Sequence, residues 1–252
     1  MDFRLDGKKA IVTGGGSGLC RGIAEGLHEA GAEVVLVGSS SRALTAAEEI
    51  GKTGPAVHGV QIDLGDREQI RSGYAQALQA LGGQLDILVN GAGVQYRCDA
   101  VEFPAEEWEK ILKVNLNAVF YMSQLAAKTM IPRHRGKIIN IASMTSFFGS
   151  TQIPAYTASK GAVAQLTKAL SNEWAREGIC VNAIAPGYMA TRLTGDMEQK
   201  NPEQYREVTG RIPMGRWGRA EDLKGISIFL AGDMSGYITG AVIPVDGGYL
   251  GK

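Results

Sequence analysis

Seven short apolar runs, most of them rich in β-branched residues, recur along this chain of 252 residues. They are Ala10–Val12, Glu33–Val37, Val57–Asp63, Asp86–Val89, Lys137–Ile141, Val181–Ala185 and Ala241–Val245. Segments long enough for helices lie between them: Leu19–Ala30, Asp66–Leu81, Glu106–Met130, Ala155–Arg176 and Ala220–Leu230. A strand apolar on both faces must be covered on both sides. Such strands alternating with helices therefore predict a parallel sheet between two helical layers. Asp66 followed three residues later by Gln69 is a helix-start signal. No linker, repeat or low-complexity tract interrupts the rhythm, so residues 1–252 are expected to form one domain. The polar stretch Thr191–Gly210, with Met197 and Tyr205 as anchors, is expected to form a mobile helical lid over about residues 191–213.

Composition narrows the function classes. Lys plus Arg and Asp plus Glu number 26 each, so net charge favours neither a nucleic acid nor an anionic membrane as partner. No apolar run approaches the ~18 residues of a membrane span, and the first residues lack the apolar core of a signal peptide. Cys20, Cys98 and Cys180 are few, odd in number and far apart, which predicts reduced thiols in a cytoplasmic protein. His28, His58 and His134 are isolated, so no metal site is expected.

Two local patterns carry chemistry. The first strand runs into Thr13-Gly14-Gly15-Gly16-Ser17-Gly18-Leu19 and then a helix. Glycines let a backbone approach a pyrophosphate, and a helix N-terminus stabilises its charge, so this turn predicts a dinucleotide site. Farther on, Tyr156 and Lys160 stand four apart on a predicted helix, hence on one face. A nearby ammonium favours the phenolate and would lower the Tyr156 pKa, making the pair a candidate general acid and base. Ser143, thirteen positions earlier, can hold a substrate oxygen.

These motifs, with Asp63, Asn90-Gly91-Ala92-Gly93, Asn115 and Pro186-Gly187 in the same order, resemble the short-chain dehydrogenase/reductase family over the whole chain. The resemblance implies an α/β Rossmann fold, a doubly wound parallel sheet with helices on both faces. It implies an NAD(P)-dependent enzyme in which Tyr156 exchanges the proton and Ser143 orients the substrate oxygen. Lys160 would hold the nicotinamide ribose and lower the Tyr156 pKa, and Asn115 would hold a water linking Lys160 to solvent. Cofactor contacts are expected at Gly14, Gly16, Ser17, Gly18 and Leu19 in the first turn, and at Asp63 and Leu64 after the third strand. Others are expected at Asn90, Ala92 and Gly93, at Tyr156 and Lys160, and at Pro186, Gly187 and Thr191, the last on the carboxamide. Two positions depart from the family pattern: Cys20 stands where Gly is usual, and Gly91 where Asn is usual. Homotetramers are the family expectation.

The cofactor choice stays open. The resemblance implies NAD, whereas Gly38-Ser39-Ser40-Ser41-Arg42 offers hydroxyls and an Arg instead of the acidic residue that binds ribose hydroxyls in NAD enzymes. Ser39 and Arg42 would accept a 2′-phosphate and favour NADP; alternatively Arg42 simply begins the next helix. The stretches 136–144, 181–191, 211–218 and 245–250 resemble a branch that oxidises or reduces small sugar acids of the 2-deoxy- or 2-keto-3-deoxy-gluconate type. A 3-oxoacyl-carrier-protein reductase, a gluconate 5-dehydrogenase and a non-catalytic dinucleotide sensor are the alternatives. A sugar acid needs a cation. Arg97, just past the fourth strand, is the first candidate, with Arg192 and Arg216 next. Gln95, Gln152 and Tyr188 are candidates for substrate hydroxyls.

Overall fold

The computed structural model describes residues 3–191 and 197–251. Seven strands form one parallel sheet: β1 (Lys9–Thr13), β2 (Glu33–Gly38), β3 (Val57–Gln61), β4 (Ile87–Asn90), β5 (Gly136–Ile141), β6 (Ile179–Pro186) and β7 (Val242–Val245), in the order 3-2-1-4-5-6-7. Each predicted run is a strand. The third ends two residues before the predicted Asp63, and the sixth extends by a few residues at its start.

Period-two alternation divides the core. Ala10, Val12, Val34 and Leu36 face one layer, where they pack with Ile23 and Leu27 of α1 (Gly18–Glu29). Ile11, Val35 and Val37 face the other, against Ile70 of α3 (Arg67–Ala80), Met122 of α5 (Ala118–Met130) and Leu170 of α6 (Pro154–Trp174). All these strand residues are fully buried. This is the two-sided burial that their sequence requires.

The start of α3 follows its sequence signal. Asp66 accepts hydrogen bonds from the Glu68 and Gln69 backbone N–H groups, and the Gln69 side chain donates another to the Asp66 carboxylate. The Gln69 side-chain carbonyl also accepts from Asp63 N–H, fixing the loop after β3. The helix α2 (Arg42–Ile50) starts at Arg42, as the alternative reading of that residue expected.

The segment 105–130 is not one regular helix. It comprises α4 (Ala105–Leu112), a π-turn at Lys113–Asn117, and then α5. The extra residue per turn in a π segment rotates the side chains of the next helix about its axis, a feature often found at functional sites. The last helix, α9 (Lys224–Ala231), likewise starts later than expected, because Ala220–Leu223 forms a 3₁₀ turn. Within the expected lid lie α7 (Met197–Lys200) and α8 (Pro202–Gly210). Among the described residues, no helix is long and apolar enough to cross a membrane.

The strand order places the site. From β1 the chain builds outward to β2 and β3, then returns to add β4 on the other side of β1. The loops after β1 and β4 therefore diverge from adjacent strands, leaving a crevice at their carboxyl ends. Ligands of open parallel sheets bind in such crevices.

Candidate active site

The glycine turn after β1 fits a dinucleotide pyrophosphate. Gly14 has φ +74°, and a side chain there would press on the Ala92 backbone at 3.0 Å. At Gly16 a Cβ would lie 2.7 Å from the Ala43 nitrogen and 2.8 Å from the Arg42 carbonyl carbon. The turn is thus pressed between the β4 loop and the start of α2. Ser17 and Gly18 are exposed at the N-terminus of α1, and Leu19 is half-buried. The Ser17 side chain makes no cap hydrogen bond, and no acidic residue lies in the first turn. Nothing negative therefore competes with an anion for this helix end.

The other expected cofactor residues border the same crevice. Ser39 and Arg42 are exposed beside the glycine turn, and no described acid pairs with Arg42. Arg42 does begin a helix, which leaves its guanidinium free to meet a phosphate. Asp63 accepts the Gly65 N–H, turning the loop so that buried Leu64 borders a small cavity with Asn90 and Ala92. The Asn90 amide points into the protein, donating to Ser123 and to the Asn140 side chain at 2.9 Å each. Asn90 is therefore a brace between strands, and only its backbone faces the crevice side. Pro186 closes β6, and the Gly187 N–H donates to the Val245 carbonyl. Thr191 is the last described residue before 192–196.

The acid–base group assembles from three elements. Ser143 follows β5 and caps a short 3₁₀ turn, Met144–Ser146, whose Ser146 hydroxyl donates to the Lys160 carbonyl at 2.7 Å. Tyr156 and Lys160 sit in the first turns of α6. The Ser143 hydroxyl accepts the Thr145 N–H at 3.2 Å and neighbours the Tyr156 phenol. The Lys160 ammonium donates to the Ile141 carbonyl at 2.6 Å and lies 5.7 Å from the Tyr156 ring centre. Asn115, carried by the π-turn, is wholly buried. Its amide clamps Val94 from both sides, accepting from N–H at 2.8 Å and donating to C=O at 2.9 Å. It also donates to Ser159. Asn115 thus ties the β4 loop to α6, and Gly93 passes close to both Asn115 and Lys160.

The expected lowering of the Tyr156 pKa is not what this arrangement produces. Burial raises it, the Ser143 hydrogen bond opposes that rise, and Cys20 adds to it. Burial also pulls Lys160 down to about 8, which weakens the positive charge that would stabilise a phenolate. Desolvation outweighs charge at both groups.

The two departures from the family pattern lie against each other. A Cβ on Gly91 would collide with the Cys20 sulfur, and the Cys20 thiol is 3.3 Å from the Gly91 carbonyl oxygen. Cys20 therefore fills the space that a side chain at 91 would occupy. The Gly91 turn keeps its anchorage through Thr13, whose hydroxyl accepts from Gly91 and Ala92 N–H. Burial pushes the Cys20 thiol up to about 11, so it remains protonated at neutral pH and acts as packing.

Of the substrate candidates, Arg97 and Gln95 are exposed in the loop after β4, and Tyr188 is half-buried just past β6. Gln152 has φ +64° and its side chain donates to Asp99, while its backbone carbonyl accepts from Cys98 N–H. It thereby braces the Arg97 loop. Arg216 is likewise committed, in a bidentate pair with Asp222 at 2.8 Å per contact. Arg192 lies outside the described residues. Of an aromatic group at this end only Tyr188 was foreseen: Phe148, Tyr188, Trp217 and Tyr249 come together from four loops, with successive ring centres 5.3–6.0 Å apart. Nothing in local sequence joins positions so distant.

A crevice for a dinucleotide beside a Ser–Tyr–Lys group, with Ser143 and Lys160 buried and Tyr156 half-buried, defines a nicotinamide-dependent oxidoreductase. Known proteins point the same way. A family model described as enoyl-(acyl carrier protein) reductase matches residues 14–250. The chain is 44% identical over 250 residues to 2-dehydro-3-deoxy-D-gluconate 5-dehydrogenase of Bacillus subtilis (strain 168), covering 99% of this chain and 97% of that one. It is 37% identical to the 3-oxoacyl-[acyl-carrier-protein] reductase of Aquifex aeolicus (strain VF5), covering 98% and 99%. A crystal structure of a gluconate 5-dehydrogenase from Burkholderia cenocepacia J2315, in complex with NADP and tartrate, superposes with a TM-score of 0.93 at 38% identity, covering 99% and 98%. The protein belongs to the short-chain dehydrogenase/reductase family.

The Cys20–Gly91 contact makes a test of coupling. Gly91→Asn alone should destabilise the fold by about 1–3 kcal/mol through overpacking and weaken dinucleotide binding. Adding Cys20→Gly should recover most of that loss. Recovery will be incomplete, because the Thr13 carbonyl also lies 3.0 Å from the new Cβ. Thermal unfolding and cofactor titration of the two single variants and the double variant read the coupling.

Proposed function

We propose that this enzyme moves a hydride between a nicotinamide cofactor and a secondary alcohol or ketone of a small sugar acid of the 2-deoxy- or 2-keto-3-deoxy-gluconate type. The observation that carries the reading is the convergence of Ser143, Tyr156 and Lys160 beside the glycine turn at one end of the sheet. The 44% identity to the Bacillus subtilis enzyme over nearly the full chain supports the substrate class.

The cofactor, when bound, supplies or accepts the hydride. The chain's own residues do the rest. Ser143 and Tyr156 direct two hydroxyls at one substrate oxygen. In reduction the Tyr156 phenol gives its proton to the developing alkoxide; in oxidation it takes the proton from the alcohol. A raised Tyr156 pKa suits the donor role, since the phenol stays protonated at neutral pH. Lys160, buried and poised near 8, can pass a proton on as the cycle requires. Asn115 holds Val94 and Ser159, and so fixes the wall beside Lys160. The same position is suited to holding a water that leads from Lys160 to solvent. Arg97 offers a cation for the carboxylate, and α8, whose Tyr205 stacks on Trp217, is suited to cover the substrate end.

For the cofactor, Arg42 and the serines at 39–41 favour NADP. The Burkholderia cenocepacia relative was crystallised with NADP, which supports that preference. Large apolar side chains on the outer helices support assembly. Trp108 of α4 is 39% exposed and Phe120 of α5 is 36% exposed, as expected if these helices pack on copies of themselves in a homotetramer.

A panel of sugar acids, incubated with NAD or NADP and followed by the absorbance of the reduced nicotinamide, tests the reading directly. Carrier-linked 3-oxoacyl substrates in the same panel test the rival one. Tyr156→Phe should lower kcat/KM by about 10²–10⁴-fold while the cofactor Kd stays within about twofold; near-normal turnover would remove Tyr156 from its role. Arg42→Ala should weaken NADP at least tenfold and leave NAD nearly unchanged. Equal losses for both would reduce Arg42 to a surface charge. Light scattering at micromolar concentration should give four times the chain mass, and a monomer mass would end the tetramer assignment.

A further inference from the structure

One cation near the substrate end had no expected role. Arg211 follows α8, and its guanidinium carbon lies 5.0 Å over the ring centre of Tyr249. This stacking is attractive and holds the planar group in one orientation. The backbone is held as well. Ile212 is buried at 3% exposure, and the Met214 N–H donates to the Gly247 carbonyl just past β7. Arg211 is thus a positioned side chain on an anchored turn.

Its surroundings lie at the reacting end of the sheet. Tyr249 packs against Phe148, five residues beyond Ser143, and against Tyr188, two residues past β6. Burial raises the Tyr188 pKa, and the neighbouring Tyr249 hydroxyl raises it further. Arg211, and then Arg97, oppose that rise. The Tyr249 ring under Arg211 lies 5.4 Å from the Tyr188 ring, so the Arg211 guanidinium and the Tyr188 phenol border the same aromatic group. No ion pair neutralises Arg211 or Arg97 among the described residues, whereas Arg216 nearby is bound to Asp222. An unneutralised cation stacked on an aromatic wall that also carries the Tyr188 hydroxyl, with Arg97 exposed in the loop after β4, suits a carboxylate joined to a carbon chain.

We propose that Arg211, acting with Arg97 and the Tyr188 hydroxyl, binds the substrate carboxylate and so sets the preference for sugar acids over neutral polyols. The proposal rests on the sugar-acid reading above. It adds a second cation, carried by the turn after α8, to the one expected after β4. Arg211 is a specificity residue, distant in role from the proton transfer at Tyr156.

The test compares charged and neutral substrates in the full-length enzyme. D-gluconate and D-glucitol, which differ in the terminal carboxylate, are assayed with wild type, Arg211→Ala, Arg211→Lys and Arg97→Ala. Binding of both compounds to the NADP-loaded enzyme is measured by calorimetry alongside. Arg211→Ala should raise KM and Kd for gluconate about ten- to a hundredfold, with kcat within about threefold, because the lost contact binds ground state and transition state alike. Values for glucitol and the Kd of NADP should not move. Arg211→Lys should recover part of the loss.

If Arg211 merely supports Tyr249, its removal will weaken glucitol and gluconate equally, or lower kcat for both, and the proposal fails. Unchanged gluconate values in Arg211→Ala also overturn it. A wild-type enzyme that neither binds nor oxidises gluconate and other sugar acids, yet acts on a neutral or carrier-linked substrate, overturns the sugar-acid reading itself and this proposal with it. The wild-type row of the experiment thus judges the reading, and the variant rows judge Arg211.

Discussion

A single hydroxyl anchors the loop after β4 to the end of β1, where the site opens. Thr13, the last residue of β1, accepts hydrogen bonds from the Gly91 and Ala92 N–H groups and donates to the Val89 carbonyl. It is buried, so these bonds have no competition from water. They fix the β4 loop against the glycine turn at the point where the strand order reverses. Gly14 can then touch Ala92, Cys20 can fill the space at Gly91, and Gly93 can run on toward Asn115 and Lys160. Loosening this junction would separate the dinucleotide crevice from the acid–base group.

The catalytic end is built by a similar economy of backbone groups. Lys160 is buried, and its ammonium takes the Ile141 carbonyl at the end of β5. Ser146 takes the Lys160 carbonyl, which binds the loop after β5 to the first turns of α6. Asn115 takes both backbone groups of Val94, which binds the β4 loop to the π-turn. The loops that carry reacting groups are therefore cross-linked to regular elements, and Tyr156 and Ser143 meet without a strained backbone. The cost is desolvation, visible in the raised Tyr156 pKa and the lowered Lys160 pKa.

The substrate end is organised differently, by aromatic packing more than by buried hydrogen bonds. Phe148, Tyr188, Trp217 and Tyr249 join the loops after β5, β6 and β7 to the turn after α8. Trp217 is buried and also donates to Thr209 in α8. Such a wall is rigid where it contacts the sheet and charged at its rim. In the proposal above, specificity for an acid depends on the Arg211 guanidinium held by this wall, separately from the proton chemistry below.

Local sequence determined much of this protein. Two-sided apolar runs require a covered parallel sheet, the strand–glycine–helix order requires a crevice at a helix N-terminus, and Tyr156 with Lys160 shares a helix face wherever that helix forms. These follow from periodicity and backbone geometry, which a short window of residues fixes. Tertiary structure decided what depends on distant neighbours. The π-turn that buries Asn115 answers to Val94, which no helix propensity encodes. The Tyr156 pKa rises because burial is a property of the whole fold, whereas the i, i+4 spacing spoke only of Lys160. Cys20 and Gly91 read singly as defects and become one packed contact, because 71 residues of chain return to the same point. Arg211 and Arg216 are close in the chain and both exposed, yet one stacks on Tyr249 and the other is bound by Asp222. Side-chain charge is written in the sequence; whether a charge is spent on a neighbour or left for a ligand is settled only when the chain has folded.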